Sequence, residues 1–444
     1  MISRFSLNTR DSFQDGTSIC DMPYAPAPEG ARRSGGSGDL RHGNLTQVLC
    51  YVRDHGPCSR HDIARGCGLG ISTLTDLIGD LKSRRLVKEL DPVRRPGAGR
   101  PTRPIDLDGA PWCALGIELA HDNVAIAATT MGGEELWLVN DPVALRGTEP
   151  EEAFAQVREV LVRRLAEVPA GREVISVEIG IPGVVVRDSG RLERAGNLPW
   201  TEFPIRERIR EVLAETGLTG IHVGVANDCQ LAGLFAARTE VRLPVDSVAV
   251  YVGGLRGVGS GLIVNGQIFG GAHGVAGDLA QAHVSEGSAD GDGEQRGRLI
   301  SVLGLEALLV HSGLLSEDDA AQKVIDDPTG ALDLLRNEAE AGNDEVLSAL
   351  SEAGAALGRV IDDILGVLNP HAAIIGGYVG VLSPYLRDAF DAQLSDRLSD
   401  PAFSATLVAT LETLEPRVAR GAAMLARDAC LADPLTLTRP VGGA

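Results

Sequence analysis

The feature that most constrains the fold is a run of three helical patterns followed by two short strand-like runs, within residues 39–108. The first helical pattern stops at His55-Gly56-Pro57, and the second starts at Ser59, which precedes Asp62 by three residues as in a capping box. The third follows the turn Gly66-Cys67-Gly68. The apolar positions that define the first and third helices are Leu45, Val48, Leu49, Val52, Leu74, Leu77, Ile78 and Leu81. This order predicts a helix-turn-helix.

The two strand-like runs, 86–90 and 105–107, are joined by the loop PVRRPGAGRPTR. Three helices followed by such a hairpin is the order of a winged helix-turn-helix. We therefore predict a DNA-binding domain, called the head from here on, over 39–108. Residues 1–38 are rich in Gly, Pro, Ser and Ala and lack apolar periodicity, which predicts a disordered arm.

The charge of the chain is divided unevenly. The formal net charge is −20, yet residues 39–104 carry twelve Lys or Arg against seven Asp or Glu. A basic module on an acidic body predicts that double-stranded DNA binds at this end. No apolar run reaches the roughly 18 residues of a membrane span, and the opening MISRFSLNTRDSFQDG lacks the apolar stretch of a secretory signal. We expect a cytoplasmic protein.

The seven cysteines are scattered and never form a CxC or CxxC pair. This spacing argues against a disulfide framework and against a zinc ribbon. We expect reduced, structural thiols at Cys20, Cys50, Cys58, Cys67, Cys113, Cys229 and Cys430.

Strand and helix patterns alternate from about Trp112 onward. CALGIELA, VAIAATTM and GEELWLV read as three consecutive antiparallel strands, followed by an amphipathic helix over 151–167 and a buried strand in VISVEIGIPGVVV. A similar cycle restarts at SVAVYVGG, and Asn265-Gly266 between apolar runs is the signal of a type I′ hairpin turn. Two related α/β halves predict a two-lobed fold with a cleft between the lobes.

Motifs spread from about Arg41 to Ala432 resemble those of the ROK family (repressors, open reading frames, kinases), in its transcriptional-regulator branch. They are GPCSRHDIARGCGLGISTLTDLIGDLKSRRLVKE and GAGRP in the head, and GNLPW, AND, GVGSGLIVNGQIFGGAHGVAGD, NPHAAIIGG and RGAAMLA in the body. The resemblance implies an α/β chain: an N-terminal winged helix-turn-helix plus a two-lobed actin/hexokinase-like (ribonuclease H-like) ROK domain. Its N-lobe would span 112–228, and its C-lobe, with a C-terminal helix, 229–432.

The helices of the head supply candidate DNA contacts. Short polar side chains near the N-terminus of a recognition helix read base edges in the major groove. Cations farther along that helix, and residues at the N-terminus of the preceding helix, reach phosphates. The candidate base contacts are Ser72, Thr73 and Thr75, and the candidate phosphate contacts are Arg60, His61 and Lys82. For each residue, the alternative is an ordinary solvated side chain.

The loop between the two strands carries Arg94, Arg95 and Arg100 around a Gly-Arg-Pro core. Glycine permits close approach to DNA, arginine is attracted by the narrow minor groove of A·T-rich sequences, and proline fixes an extended backbone. These three arginines are therefore candidate minor-groove contacts. The alternative is a flexible interdomain linker.

The body resembles a sugar kinase that lacks part of its nucleotide site. ROK kinases carry a pattern like Asp-x-Gly-Gly-Thr on the opening hairpin, which binds metal and phosphate. The matching stretch, 116–122, replaces the paired glycines with Ala120 and His121, and Asp122 stands at the threonine position. A carboxylate there repels a triphosphate, and Cβ atoms prevent close backbone approach. We expect no ATP binding of the family's kind, no catalytic residues and no cofactor.

The sugar-binding motif is better retained, as the resemblance implies. Asn227 and Asp228 match the family's Asn-Asp pair, whose Asp takes a proton from a sugar hydroxyl in the kinases, and Asn197 matches a second sugar contact. Asp278 and Gln281 occupy the positions of the family's Glu-x-x-His. These five residues are the candidate site for a small-molecule effector, a sugar or a related metabolite. The alternative is inherited scaffold without a ligand.

Many relatives hold a structural zinc with that His and a following Cys-x-Cys-Gly-x-x-Gly-Cys. The aligned stretch here, 291–298, contains neither Cys nor His, so we expect no bound metal. Asp290, Asp292 and Glu294 leave a hard cation as an alternative to a plain acidic loop.

Together these patterns predict a transcriptional regulator, expected to be a repressor, that binds operator DNA as a homodimer or homotetramer. A dimer presents two heads to an inverted repeat. Effector binding between the lobes would change their closure and the spacing of the heads, and so relax DNA binding. Two alternatives stay open: a sugar kinase with a DNA-binding head, and a ligand-independent DNA-binding dimer.

Overall fold

The computed structural model describes residues 37–93, 102–169, 171–195, 198–286 and 295–434. Helices and strands alternate along these ranges, which confirms the predicted α/β class. No helix in the described ranges combines the length and the apolar character that crossing a lipid bilayer requires.

The described residues form two compact units. The first unit comprises those before Asn227 together with the C-terminal residues from Val418 onward. The second unit comprises residues 227–417.

The head belongs to the first unit and has the predicted order of three helices and a hairpin. Its elements are α1 (Ser37–His55), α2 (Arg60–Cys67), α3 (Ile71–Ser83), β1 (Val87–Glu89) and β2 (Ile105–Leu107). Ser59 and Asp62 complete the predicted capping box, each side chain bonding the backbone N–H of the other at 3.2 Å. Helix α1 starts at Ser37, inside the segment predicted as an arm. Its first turn, Ser37-Gly38-Asp39-Leu40, contains one apolar residue, which is too few for periodicity to detect.

The core of the head continues into the body of the first unit. One buried apolar cluster contains the stripes of α1 and α3 together with Trp112, Met131, Ile175, Cys430 and Leu431. Trp112 also donates its indole N–H to the Arg85 carbonyl at 3.1 Å. Separating the head from this body would expose the shared apolar surface to water, which is unfavourable.

Polar contacts join the head to the C-terminal helix of the same unit. The Thr46 hydroxyl donates to the Ala432 carbonyl at 3.0 Å. The guanidinium of Arg53 lies 3.2 Å from the Asp428 carboxylate, and both side chains are largely buried. Arg53 also bonds Asp54, and Asp428 also bonds Arg427, so the pair belongs to a largely buried network of charges.

The body of the first unit is built on a five-stranded sheet of order β10-β6-β3-β4-β5. Strands β3, β4 and β5 are consecutive and antiparallel, as predicted, and β6 lies parallel to β3. Helix α14 packs on this sheet, since a Cβ at Gly116 would lie 2.1 Å from backbone atoms of Ala419 and Ala423. The elements are β3 (Trp112–Leu119), β4 (Asn123–Thr130), β5 (Glu135–Pro142), α4 (Pro150–Leu165), β6 (Glu173–Ile181), β7 (Val184–Val186), β8 (Arg191–Arg194), β9 (Thr201–Phe203), α5 (Ile205–Glu215), β10 (His222–Asn227) and α14 (Arg417–Ala432).

The second unit repeats this plan with the sheet β13-β12-β11-β16-β17. Strands β11, β12 and β13 are antiparallel, and β16 lies parallel to β11. Asn265 and Gly266 both have positive φ angles, 53° and 67°, as a type I′ turn requires. The elements are α6 (Asp228–Phe235), β11 (Val248–Gly253), β12 (Gly259–Val264), β13 (Gln267–Ile268), β14 (His283–Glu286), β15 (Gln295–Arg298), α7 (Leu299–Leu303), α8 (Leu305–His311), α9 (Glu317–Asp326), α10 (Pro328–Glu340), α11 (Asp344–Leu368), β16 (Ala372–Ile375), α12 (Gly377–Val381), α13 (Ser383–Ser399) and β17 (Leu407–Thr410).

Candidate DNA interface and ligand site

The first two turns of α3 present polar side chains to solvent. Ser72, Thr73 and Thr75 are exposed, as predicted. The Thr75 hydroxyl donates to the Ile71 carbonyl at 2.8 Å, so its proton is used and it can offer a base only an acceptor. Gly70 caps the helix without a side-chain hydrogen bond, which leaves the first backbone N–H groups without a capping side chain. These features suit insertion into a major groove.

Glu89 of β1 contacts two of the predicted phosphate-binding cations. Arg60 Nη2 lies 2.5 Å from Glu89 Oε1, and Lys82 Nζ lies 3.3 Å from Glu89 Oε2. The hydrogen bond from Arg60, followed by that from Lys82, holds the pKa of the Glu89 carboxyl below its usual range. His61, the third predicted phosphate contact, is exposed. An internal anion therefore holds two of the three candidates.

The arginine loop is closed at its base by a pair of backbone hydrogen bonds between Val93 and Thr102, at 2.8 and 3.2 Å. Arg94, Arg95 and Arg100 themselves lie outside the described residues. Their role in the minor groove stays a prediction.

The first hairpin, which joins β3 to β4, has a closed tip at residues 120–122. His121 is buried. Three backbone N–H groups of the segment 143–146 donate to the carbonyls of His121 and Asp122, each at 3.0 Å. The carbonyls of this tip are therefore bonded to the segment that follows β5.

The second hairpin, which joins β11 to β12, keeps its glycines for close packing. Gly254 has a φ of 148°, a conformation that side chains rarely adopt. A Cβ at Gly259 would lie 2.2 Å from Cys229 Sγ, and one at Gly261 would lie 2.8 Å from Gln230 Cα. Helix α6 therefore packs directly against this hairpin, and only glycine fits between them.

The predicted pair Asn227 and Asp228 begins α6. The Asn227 side-chain oxygen accepts from the N–H groups of Cys229 and Gln230 at 2.9 and 3.1 Å, so this residue also caps the helix. Asp228 Oδ1 accepts from the Cys229 N–H at 2.8 Å. Burial raises the pKa of the Asp228 carboxyl, while that hydrogen bond opposes the rise. As a whole residue Asp228 is half-buried.

The loop 270–278, which ends at the predicted ligand residue Asp278, is bonded to α6 and β12. Gln230 Nε2 donates to the Gly274 carbonyl at 3.1 Å. The Ser260 hydroxyl donates to the Gly277 carbonyl. Sequence reasoning did not assign a role to Gln230 or Ser260, because their partners lie at least seventeen positions away.

The remaining ligand candidates differ in their surroundings. Asp278 is exposed at the end of that tied loop. Gln281 is also exposed, and its side-chain oxygen accepts from Arg298 Nη1 at 2.7 Å. Asn197 lies outside the described residues. The structure thus connects the loop of Asp278 to the helix of Asp228, whereas Gln281 already has a protein partner.

The comparison with known families decides the relationship. The sequence profile of the ROK family matches residues 114–429. The chain belongs to the ROK family. This confirms the resemblance that the motifs indicated.

Curated relatives include both regulators and kinases. The DNA-binding transcriptional dual regulator NagC of Escherichia coli K12 is 24% identical over 420 residues, which cover 91% of this chain and 97% of NagC. The glucokinase of Halalkalibacterium halodurans is 26% identical over 305 residues, which cover 65% of this chain and 88% of the enzyme. The NagC alignment is longer than the ROK match, so it extends beyond the ROK domain. Membership of the ROK family does not by itself decide whether this chain catalyses a reaction.

Solved ROK structures share the fold. A ROK family transcriptional regulator, a homologue of the E. coli MLC protein, superposes with a TM-score of 0.69 at 20% identity, over 91% of this chain and 100% of its own. The ROK hexokinase of Thermus thermophilus superposes with a TM-score of 0.53 at 21% identity, over 71% of this chain and 97% of its own. These likenesses confirm the predicted ROK fold.

No metal site is recognisable in the part of the chain that the structure describes. No group of three His, Cys, Asp or Glu side chains among those residues is arranged to hold a metal ion. Asp290, Asp292 and Glu294 fall in the segment 287–294, outside the described residues. The expected absence of zinc stays a prediction.

Proposed function

We propose that this chain is a DNA-binding transcriptional regulator, a repressor, whose ROK domain binds a sugar or a related metabolite that modulates operator binding. The observation that carries the proposal is the head: a winged helix-turn-helix with an exposed polar recognition helix, whose core is continuous with the body of the first unit. The NagC and MLC-like relatives, named as transcriptional regulators, support the same function.

The DNA side of the proposal assigns three kinds of contact. Side chains on α3 read base edges, cations of α2 and α3 bind phosphates, and the arginines of the loop enter the minor groove. In that order, the residues are Ser72, Thr73 and Thr75; Arg60, His61 and Lys82; and Arg94, Arg95 and Arg100. Two heads match an inverted repeat, so we propose a homodimer or homotetramer, located in the cytoplasm with its DNA target.

The ligand side of the proposal centres on Asp228. Its carboxylate accepts hydrogen bonds from ligand hydroxyls, and the polar residues around the start of α6 and on the loop 270–278 fix the orientation of the sugar. The assigned residues are Asn197, Asn227, Asp228, Asp278 and Gln281.

We propose that the chain does not transfer phosphate. Phosphoryl transfer needs backbone N–H groups and a cation arranged around the phosphates of the nucleotide. The tip of the first hairpin carries Ala120 and His121 at the positions of the family's paired glycines, and it carries Asp122, whose charge repels a triphosphate.

The DNA-binding function is tested by selection of genomic fragments with the full-length chain, followed by affinity measurements on the enriched sequence. We expect the double variant Ser72→Ala/Thr73→Ala to lose about tenfold or more in discrimination between the enriched and a scrambled duplex. Ser83→Ala, at the other end of α3, is the matched control and should keep it. Failure to enrich any sequence would refute the proposal.

The ligand function is tested by titration of the same duplex in the presence of a panel of hexoses, pentoses, amino sugars and their phosphates. We expect one class to weaken DNA binding. If none changes the affinity, the chain is a ligand-independent DNA-binding protein instead.

A sugar kinase with a DNA-binding head is the second candidate, favoured by the retained glycines of the second hairpin and by Asp228. Incubation with ATP, Mg²⁺ and the same panel, with a ROK glucokinase as positive control, distinguishes the two. We expect no release of ADP above background; steady turnover would establish the kinase.

A further inference from the structure

The three side chains Glu89, Arg60 and Lys82 suggest how the head discriminates between DNA sequences. Both cations lie on the recognition elements, α2 and α3, and both contact the one carboxylate of β1 at 2.5 and 3.3 Å. A carboxylate that binds a guanidinium and an ammonium with its two oxygens imitates a DNA phosphate. A DNA phosphate that binds through these same donor groups has to displace the carboxylate.

We propose that Glu89 is an internal competitor of the DNA phosphates, which weakens binding to arbitrary sequences and thereby raises the specificity of the head. The proposal rests on the DNA-binding function proposed above. Phosphate contacts supply most of the affinity for non-specific DNA, whereas base contacts supply discrimination. A carboxylate that occupies two phosphate-binding cations therefore penalises non-specific binding, and a correct site compensates through its base contacts.

Glu89→Gln tests this proposal, because the amide keeps the size of the side chain and removes its charge. The number of phosphates neutralised is read from the dependence of log affinity on log salt concentration. We expect the variant to bind non-specific duplex about tenfold more tightly and its salt slope to become more negative by about one to two, as Arg60 and Lys82 engage phosphates. Discrimination between enriched and scrambled DNA should fall.

Asp91→Asn is the matched control, since it removes the same charge from an exposed residue two positions away. General electrostatics predicts equal effects for both variants, whereas competition predicts the change of slope only for Glu89→Gln. Equal slopes would overturn the proposal. Weaker binding by Glu89→Gln would also overturn it, because Glu89 would then orient the cations rather than compete for them.

Thermal melts and the variant Glu89→Ala are controls for a folding defect. If Glu89→Gln melts early, Glu89→Ala must still give the steeper slope at a temperature where it is folded, or the proposal is wrong. Wild type that binds no duplex at all would instead refute the proposed function, so the two failures are distinguishable.

A separate observation concerns Ile71, the first residue of α3. Its side chain is 45% exposed although it is apolar, and it lies beside the exposed Ser72 and one turn before Thr75. Solvation of such a side chain is unfavourable, and it lies at the end of α3 that carries the exposed Ser72, Thr73 and Thr75. The apolar feature that duplex DNA offers in the major groove is the 5-methyl group of thymine.

We infer that Ile71 reads a thymine methyl group in the operator, a specificity contact that also rests on the proposed DNA binding. Replacing each thymine of the enriched sequence by deoxyuridine removes only that methyl. At one position we expect this replacement to weaken DNA binding by the wild type about fourfold. That change corresponds to the free energy of burying one methyl group. Ile71→Ala should bind the thymine duplex about that much more weakly and should not respond to uracil at the same position.

Combining the protein substitution with the replacement of thymine by uracil distinguishes a direct contact from an effect on folding. Ser83→Ala should respond to uracil as the wild type does. An Ile71→Ala variant that keeps the full uracil effect, or a wild type that is indifferent to uracil at every position, would overturn this inference. Loss of binding to every duplex would refute the function itself.

Discussion

The two hairpins that join the first two strands of each sheet have corresponding positions in the strand order but different tips. In the first hairpin, residues 120–122 carry Cβ atoms, and backbone N–H groups of 143–146 donate to the carbonyls of His121 and Asp122. In the second hairpin, Gly259 and Gly261 leave room for α6, which packs against them. The first tip accepts hydrogen bonds from another backbone segment, whereas β12 of the second hairpin carries glycines because α6 packs against that strand.

This difference shows that a glycine-rich turn is weak support for a nucleotide site. A phosphate-binding turn needs exposed backbone N–H groups, which glycine permits. At Gly259 and Gly261, however, contact with Cys229 and Gln230 already accounts for the absence of a side chain. The glycines of the second hairpin therefore do not by themselves indicate a nucleotide site.

Among the substitutions that test this comparison, Gly261→Ala should have the largest effect, and the effect is on stability. The added methyl group would lie 2.8 Å from Gln230 Cα and 3.0 Å from the Cys229 carbonyl oxygen, backbone atoms that cannot rotate away. We expect the free energy of unfolding to fall by about 3 kcal/mol, measured by chemical denaturation. The matched change in the first hairpin, Ala120→Gly, should cost about 1 kcal/mol or less. Equal losses would show that the two hairpins are packed alike.

Asp228→Asn should have the next largest effect, on ligand binding rather than on packing. We expect any sugar that alters DNA affinity to bind about tenfold more weakly or worse, because a charged hydrogen-bond acceptor is lost. Isothermal calorimetry measures this directly. Asp246→Asn, an exposed carboxyl of the same unit, should leave the affinity unchanged. An unaffected Asp228→Asn would remove this residue from the ligand site.

The same substitution should alter the pH dependence of stability. Burial raises the pKa of Asp228 in the folded chain, so the folded state holds this proton more tightly than the unfolded state. The stabilisation is fully present below the unfolded pKa of about 4 and is lost as pH rises through the folded pKa. Denaturation between about pH 4 and pH 7 should therefore show a smaller loss of stability in Asp228→Asn than in the wild type or in Asp246→Asn. Superimposable curves would contradict this.

Restoration of the family's residues at the first tip should have the smallest effect. In the triple variant Ala120→Gly/His121→Gly/Asp122→Thr, the closing hydrogen bonds remain, because they come from the backbone of 143–146. We expect a stability loss of about 1–2 kcal/mol and no change of Tm on addition of ATP and Mg²⁺. An ATP-dependent rise of Tm in this variant would show that side chains, not backbone, close the tip.

Much of the head could be predicted because its signals are local. The capping box at Ser59 and Asp62 depends on residues three positions apart, and the buried stripe of α3 on spacings of three and four. The Asn265-Gly266 turn was equally predictable, since both residues tolerate the positive φ angles that it needs.

The candidate site was predicted only in part. The exposure of Ser72, Thr73 and Thr75 follows from helical periodicity. The capture of Arg60 by Glu89 does not, because 29 positions separate them and each side chain by itself reads as a solvated charge. The side chains of 120–122 predicted the loss of ATP binding, whereas the hydrogen bonds from the backbone of 143–146 could not be predicted, because they join segments that lie far apart in the sequence.

By itself, the sequence determined the order of helices and strands, the caps and turns between them, and the family to which the chain belongs. Only the tertiary structure decided that the head shares its core with Trp112 and Leu431, and that Thr46 bonds to Ala432, 386 positions later. The physical reason is the sequence separation of the interacting residues. Backbone conformation depends on neighbours a few positions away, whereas burial and ion pairing depend on which distant segments come into contact.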